Sequence, residues 1–188
     1  MTSATISLPI TIAPNLYLRQ AGIADAPAVF NLINTHRNYL RQWLPFIDQS
    51  QSVKDTEHFL RSVTAPGNRS DLVFAILYEE EVVGIIGYKQ IDYVNQKLEI
   101  GYWLGEPYQG KGIMLRSCAA LVRHAFNSMN MNRVQINVGV GNEKSSNIPK
   151  KLGFVFEGIE RDGELLHGRF HDLENYSLLK REWQAQEG

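Results

Sequence analysis

The stretch from Glu99 to Gly139 constrains this chain more than any other. Glu99 to Leu104 is a run of strand formers that Gly105-Glu106-Pro107 breaks, and Gln109-Gly110-Lys111-Gly112-Ile113-Met114 follows as a glycine loop. Leu115, Cys118, Ala119, Val122, Ala125 and Phe126 then recur on one face of a helix, and Val134 to Gly139 returns as a strand. Such a βαβ unit puts its two strands parallel, with a right-handed crossover. Glycines where the strand turns into the helix let several backbone N–H groups face a phosphate with no Cβ in the way, and the helix N-terminus adds partial positive charge.

Several readings of the loop compete. Gly105, Gly110 and Lys111 have the G-x-x-x-x-G-K spacing of a Walker loop, but Gly112 stands where that loop needs a Ser or Thr for magnesium. A dinucleotide fingerprint lacks its third glycine at position 115. A plain tight turn into a helix fits the same two glycines.

Upstream, Leu16 to Arg19 alternates as a strand, and the tail before it is free to pair as an extra edge. Asp25 to Leu40 has helical spacing with Pro27 near its start, and Ser52 with Asp55 resembles a capping box opening a helix that Pro66-Gly67 stops. Leu72 to Tyr78 and Val82 to Tyr88 read as a hairpin, Lys144 to Leu152 as a short helix ended by Gly153, and Phe154 to Ile159 and Leu173 to Leu179 as the last strands. Strands outnumber helices and a meander precedes the βαβ unit, so the class is α/β with a mixed (α+β) sheet.

A length of 188 residues with 44% apolar and 21% charged residues suits one domain, 1–188. A net charge of -1 leaves no positive field for nucleic acid or anionic membrane, and no apolar run is long enough to span a bilayer. With a single cysteine and no signal-peptide pattern, a cytoplasmic protein is expected. Cys118 sits among apolar helix positions with no basic neighbour, so it reads as core and not as a nucleophile. His167 and His171 lie in a turn-rich stretch, Gly163 to Asp172, without the partners a metal needs, and no metal is expected.

Gln109-x-x-Gly112-x-Met114 resembles the Q/R-x-x-G-x-G/A loop of the GNAT acetyltransferases, with Met114 in place of a small residue. Glu99-Ile100-Gly101-Tyr102-Trp103-Leu104, and Asn142-Glu143-Lys144-Ser145 followed by Leu152-Gly153-Phe154, resemble the branch that holds the ribosomal-protein N-terminal acetyltransferases. The resemblance runs from Leu16 to Leu179. It implies a twisted mixed sheet of about seven strands, flanked by helices, whose middle parallel strands splay apart. It also implies acetyl-coenzyme A as co-substrate, with Trp103 and Leu104 on the pantetheine arm, Gln109, Gly110, Lys111, Gly112, Ile113 and Met114 at the pyrophosphate, and Asn142 and Ser145 beside the thioester.

The chemistry asks for two proton carriers. A thiol with a pKa of about 8.5 leaves more readily with a donor at the sulfur, for which Ser145 is the candidate. An attacking amine, at about 8 for an α-amine or 10.4 for a lysine, must lose a proton, and Glu99 is the candidate base. A solvent-facing Glu99 paired with Lys97, and a helix N-cap at Ser145, explain the same residues without catalysis. Tyr102, an odd number of residues from Glu99, points to the other face. The family places the connector between its first two helices beside the substrate, which nominates Tyr39, Trp43 and Phe46, although ordinary packing accounts for them too. The expected acceptor is a protein N-terminal α-amine, with small amines (polyamine, amino sugar, antibiotic) and an acyl-coenzyme-A-binding domain without turnover as alternatives. A homodimer is expected from the apolar connector and the family.

Overall fold

The computed structural model describes residues 9–187. Fourteen regular elements follow in the order β1 (Ile10–Ala13), β2 (Leu16–Gln20), α1 (Ala26–Thr35), α2 (Arg37–Leu40), α3 (Val53–Val63), β3 (Leu72–Tyr78), β4 (Glu81–Asp92), β5 (Lys97–Leu104), α4 (Ile113–Asn127), β6 (Arg133–Gly139), α5 (Glu143–Lys151), β7 (Val155–Leu166), β8 (Arg169–Leu179) and α6 (Lys180–Glu187). The strands form one eight-stranded sheet in the order β1-β2-β3-β4-β5-β6-β8-β7. Every neighbouring pair is antiparallel except β5 with β6, whose connection runs through α4 and requires a parallel pair. The eighth strand, beyond the seven expected, is β1, which pairs with β2 across a two-residue turn.

Two apolar layers sandwich the sheet. Along β5 the even residues Leu98, Ile100 and Leu104 join α4 (Ile113, Cys118, Leu121, Val122, Phe126) in the larger cluster, whereas Trp103 packs against the cluster of α1 and α3 (Val29, Ile33, Leu60). Strand alternation therefore decides which side chains can meet across the sheet. The capping box at α3 forms, with the Asp55 carboxylate accepting from the Ser52 N–H at 2.8 Å.

Two local readings change. The helix expected over 25–40 is interrupted at His36, whose φ of -111° is not helical, so α1 and α2 are separate. The expected β3–β4 hairpin forms, with a turn through Glu79 and Glu80, both at positive φ, a conformation usually left to Gly or Asn. Finally, β7 and β8 extend well past the expected 154–159 and 173–179, because the stretch read as turn-rich is a long hairpin closed by His167-Gly168 at positive φ. It carries a bulge between Glu160 and Glu164, where the Asp162 N–H donates to Asp172 Oδ1 at 2.9 Å. Among the described residues, no helix is long and apolar enough to cross a membrane.

Candidate active site

β5 and β6 stay paired only from Lys97–Arg133 to Glu99–Gln135. Beyond that point each is held by its outer neighbour: β5 by β4 as far as Leu104, and β6 by β8 as far as Gly139. Two strands pulled toward opposite partners leave a wedge between them. Trp43 stands at its β6 side, near enough to Gly139 that a Cβ there would lie 3.5 Å from the indole.

A groove of about 690 Å³ runs from this wedge between α4 and α5. Its floor is the end of β5 and its far end is the glycine loop, with Gly110 at φ +73° and Gly112, the residue before α4, at φ +70°. Any L side chain at either position is strained, and at Gly110 nothing lies within 4 Å of where a Cβ would be. The loop thus presents bare backbone at the N-terminus of a fifteen-residue helix, where partial positive charge gathers.

Gln109, Gly110, Gly112, Ile113, Met114, Trp103, Leu104, Asn142 and Ser145 all line this groove. Lys111 does not: its ammonium lies over the rings of Tyr78 and Tyr108, 5.7 and 5.6 Å from their centroids. The side chain of Met114 is only 8% exposed and belongs to the core, so the departure from a small residue is absorbed there. Positive charge comes instead from α5, where Lys144 and Lys151 face the groove and Lys144 Nζ reaches Gln109 Oε1 at 3.0 Å. Sequence reasoning missed this pair, yet Lys144, Ile148 and Lys151 fall at i, i+4 and i+7, one stripe of a helix.

A wider cavity, of about 1150 Å³, lies on the other face of the sheet beneath α1 and α3. The two meet at six residues lining both: Trp43, Leu44, Tyr102, Trp103, Asn142 and Ser145. Asn142 caps α5 by accepting from the Ser145 N–H at 3.2 Å, so Asn142, not Ser145, is the N-cap. Ser145 Oγ donates to the Tyr102 hydroxyl at 3.2 Å, which donates to the Ser145 carbonyl at 3.0 Å. Burial holds the Tyr102 phenol far above its ordinary pKa, so it keeps its proton at neutral pH.

In the wider cavity Glu99 is 8% exposed and does not face solvent. Its partner is not Lys97 but the cross-strand Lys89, directly opposite in register, with Nζ 2.8 Å from Oε1, and Asn137 Nδ2 donates to its other oxygen at 3.3 Å. Asn137 Oδ1 is buried without a partner. Sequence reasoning also missed Glu164, which enters the same cavity from β7. Burial raises the Glu164 carboxyl above the usual glutamate range; Lys89 lowers it, the Glu99 charge raises it again and His171 lowers it. Phe46 lines this cavity, Trp43 lines both, and Tyr39 lines only the narrower groove, under the Lys144 ammonium at 5.5 Å.

The other singled-out residues lie elsewhere. Cys118 is fully buried in the α4 core, and burial pushes its thiol pKa up. His167 hydrogen-bonds the Arg41 carbonyl at 2.6 Å and Asp48 at 3.1 Å, tying the hairpin tip to the α2 connector.

Compared with known protein families, residues 15–155 match the acetyltransferase (GNAT) domain. The chain belongs to the GNAT acetyltransferases. It is 39% identical over 168 residues to YdaF of Bacillus subtilis (strain 168), which carries the provisional name of a ribosomal N-acetyltransferase, across 86% of this chain and 90% of that one. It is 29% identical to the ribosomal-protein-serine acetyltransferase of Escherichia coli (strain K12), across 90% and 96% of the two. Among solved structures, RimL, a ribosomal L7/L12 α-N-protein acetyltransferase in complex with coenzyme A, superposes with a TM-score of 0.87 at 28% identity over 91% of this chain and 97% of that one. The microcin C7 self-immunity acetyltransferase MccE, in complex with acetyl-CoA and AMP, gives 0.88 at 25% identity over 94% and 98%. This GNAT acetyltransferase therefore has an N-acetyltransferase fold along nearly its whole described length, with neighbours that bind coenzyme A or its acetyl thioester.

Proposed function

We propose that this GNAT acetyltransferase moves an acetyl group from acetyl-coenzyme A directly onto the N-terminal α-amine of a ribosomal or other cytoplasmic protein. The observation that carries the reading is the meeting of the two cavities at Tyr102, Trp103 and Ser145: the narrow groove suits an extended, phosphate-ended arm, and the wide cavity, open to solvent, suits a chain end. The names of the relatives support the acceptor class.

The residues fit such an arm. The β6-facing edge of β5 past Glu99 has no strand partner among the described residues, so pantetheine amides can pair with backbone near Trp103 and Leu104, while N–H groups of Gly110 to Met114 meet the pyrophosphate and Lys144 and Lys151 add charge. When bound, acetyl-coenzyme A supplies the activated acyl group. Ser145, whose hydroxyl proton rests on the Tyr102 oxygen in the free protein, is placed to turn it to the departing sulfur. Of the carboxylates that line the wide cavity, Glu99 is held by Lys89 and Asn137, and we assign it the cationic amine as a binding partner. Glu164, with its carboxyl raised, is the better match for a base working near neutral pH on an α-amine of pKa about 8. Glu99 thus holds the amine and Glu164 accepts its proton.

The test is thiol release from acetyl-coenzyme A against peptides with free or blocked N-termini and against polyamines. Release that requires a free peptide N-terminus supports the reading, and release with polyamines alone moves the acceptor to small amines.

A further inference from the structure

Lys89 puts a primary amine into the lining of the cavity that receives the acceptor. Its side chain is 53% exposed, with Nζ 2.8 Å from Glu99 Oε1. The stem leans across Gly101, so close that a Cβ there would lie 2.7 Å from Lys89 Cε and 3.3 Å from Nζ. Gly101 is the first residue on this face of β5 past the Glu99–Gln135 pair, where the wedge between β5 and β6 opens. Glu164 feels the same ammonium from β7. An amine at the apex of the wedge, with one carboxylate holding it and a second beside it, stands where an acceptor amine has to stand.

We propose that Lys89 is a self-acetylation site: with no acceptor in the cavity, the protein transfers an acetyl group from acetyl-coenzyme A to its own Lys89 Nζ. The inference rests on the acetyl-transfer reading above. The Lys89 ammonium gives a proton to the Glu164 carboxylate, and the freed lone pair attacks the thioester carbonyl. The new N–C bond forms as the C–S bond breaks, the acylated nitrogen passes its second surplus proton to water, and the coenzyme A sulfur leaves with the bonding electrons and takes a proton from Ser145, which solvent restores. Nothing is oxidised or reduced. Lysine amines, at about 10.4 in general, give up a proton less readily than α-amines at about 8, so the step is slow beside transfer to a peptide. Its product is a neutral amide. The positive charge facing Glu99 and Glu164 is then gone, and a cavity also lined by Asp71 and Glu160 becomes more favourable to cationic acceptors.

The experiment is mass spectrometry of the purified chain incubated with acetyl-coenzyme A, with and without a saturating N-terminal peptide. A positioned base contributes about 10²–10⁴-fold. Lys89 should accordingly gain one acetyl group at least about a hundred-fold faster than Lys54, be protected by the peptide, and slow by a similar factor in a folded E164Q variant. K89R should take up no fast acetyl group. Even labelling of Lys89 and Lys54, or fast labelling that persists in E164Q, overturns the proposal. Thiol release with peptide while Lys89 stays unmodified overturns this inference alone, whereas no release with any acceptor and no modification overturn both.

Discussion

Gly110→Ala and Gly112→Ala separate a loop that merely turns the chain from one that holds a ligand. Both glycines sit near φ +70°, where an L side chain costs roughly 1–2 kcal/mol. Neither clashes: a Cβ at Gly110 has nothing within 4 Å, and one at Gly112 has only Arg116 Nε at 4.0 Å. The stability cost should therefore be backbone strain alone, about 1 kcal/mol for each variant and a melting shift of roughly 2–4 °C in a chain this long. Relief of that strain rotates the peptides whose N–H groups face the groove. Each charge-assisted hydrogen bond so lost is worth about 1.5–3 kcal/mol, or roughly ten- to a hundred-fold in Kd. Calorimetric titration with acetyl-coenzyme A measures the second quantity and thermal unfolding the first. Gly112→Asn is the control, since Asn tolerates the left-handed region and should recover most of the stability. Variants that lose the predicted stability and still bind acetyl-coenzyme A with unchanged Kd would refute the phosphate-cradle assignment.

The remaining predictions concern protons and charges. E164Q should lower kcat/KM by about a hundred-fold and flatten its rise with pH, which in the parent enzyme lies above the ordinary glutamate range because burial raises that carboxyl and a base works only when deprotonated. K89M should move the same rise to higher pH: a cation that lowers the Glu164 pKa is removed, so more alkaline solution is needed to ionise it. At the foot of the parallel pair, Arg133 bonds Glu157, which also accepts from Ser177 Oγ at 2.8 Å, and its carboxyl is held down at about 2. Because the folded pKa is depressed, that stabilisation is full above the unfolded value of about 4.3 and fades as pH falls toward 2. Discounted for the 39% exposure of Glu157, it is worth about 1 kcal/mol, so E157Q should be less stable than the parent by that amount at pH 7 in urea titrations and equal to it near pH 2.

The elements most legible in the sequence were those in which local chemistry and burial agree. The capping box of Ser52 and Asp55, the β5–loop–α4–β6 unit and the alternation along β5 are each written within a few residues, and the structure realises them in place. Alternation alone separated Tyr102 from Glu99, and the two do face opposite sides of the sheet. The β3–β4 hairpin was legible too, whereas the length of the β7–β8 hairpin was not. Their turns put residues other than glycine at positive φ, and such strain persists only because the strands on either side are already paired.

The site was legible along the chain but not across it. Most residues of the groove come from the end of β5, the glycine loop, the start of α4 and α5, where short linear motifs can find them, and Tyr39, Leu40, Trp43 and Leu44 join them from α2 and its connector. Glu99 illustrates what a motif cannot supply: its neighbour two residues away is Lys97, yet the β4–β5 register sets Lys89 against it, through a register shift between Lys89 and Asp92 and a turn that the Asp92 carboxylate holds, both outside any motif around Glu99. Glu164 is further from reach. A regular ladder after Glu160–Leu173 would have given it another partner, whereas the bulge absorbs the residues between and sets Glu164 against His171, turned toward the cavity. A β-bulge costs sheet hydrogen bonds, and here it places a carboxylate against burial and a neighbouring negative charge, the two influences that raise its pKa toward the working range of a base. Deleting Gly163 to shorten the bulge by one residue should therefore leave α4 and the phosphate loop able to bind acetyl-coenzyme A while removing peptide-dependent thiol release; release that survives at the parent rate would show that the base lies elsewhere.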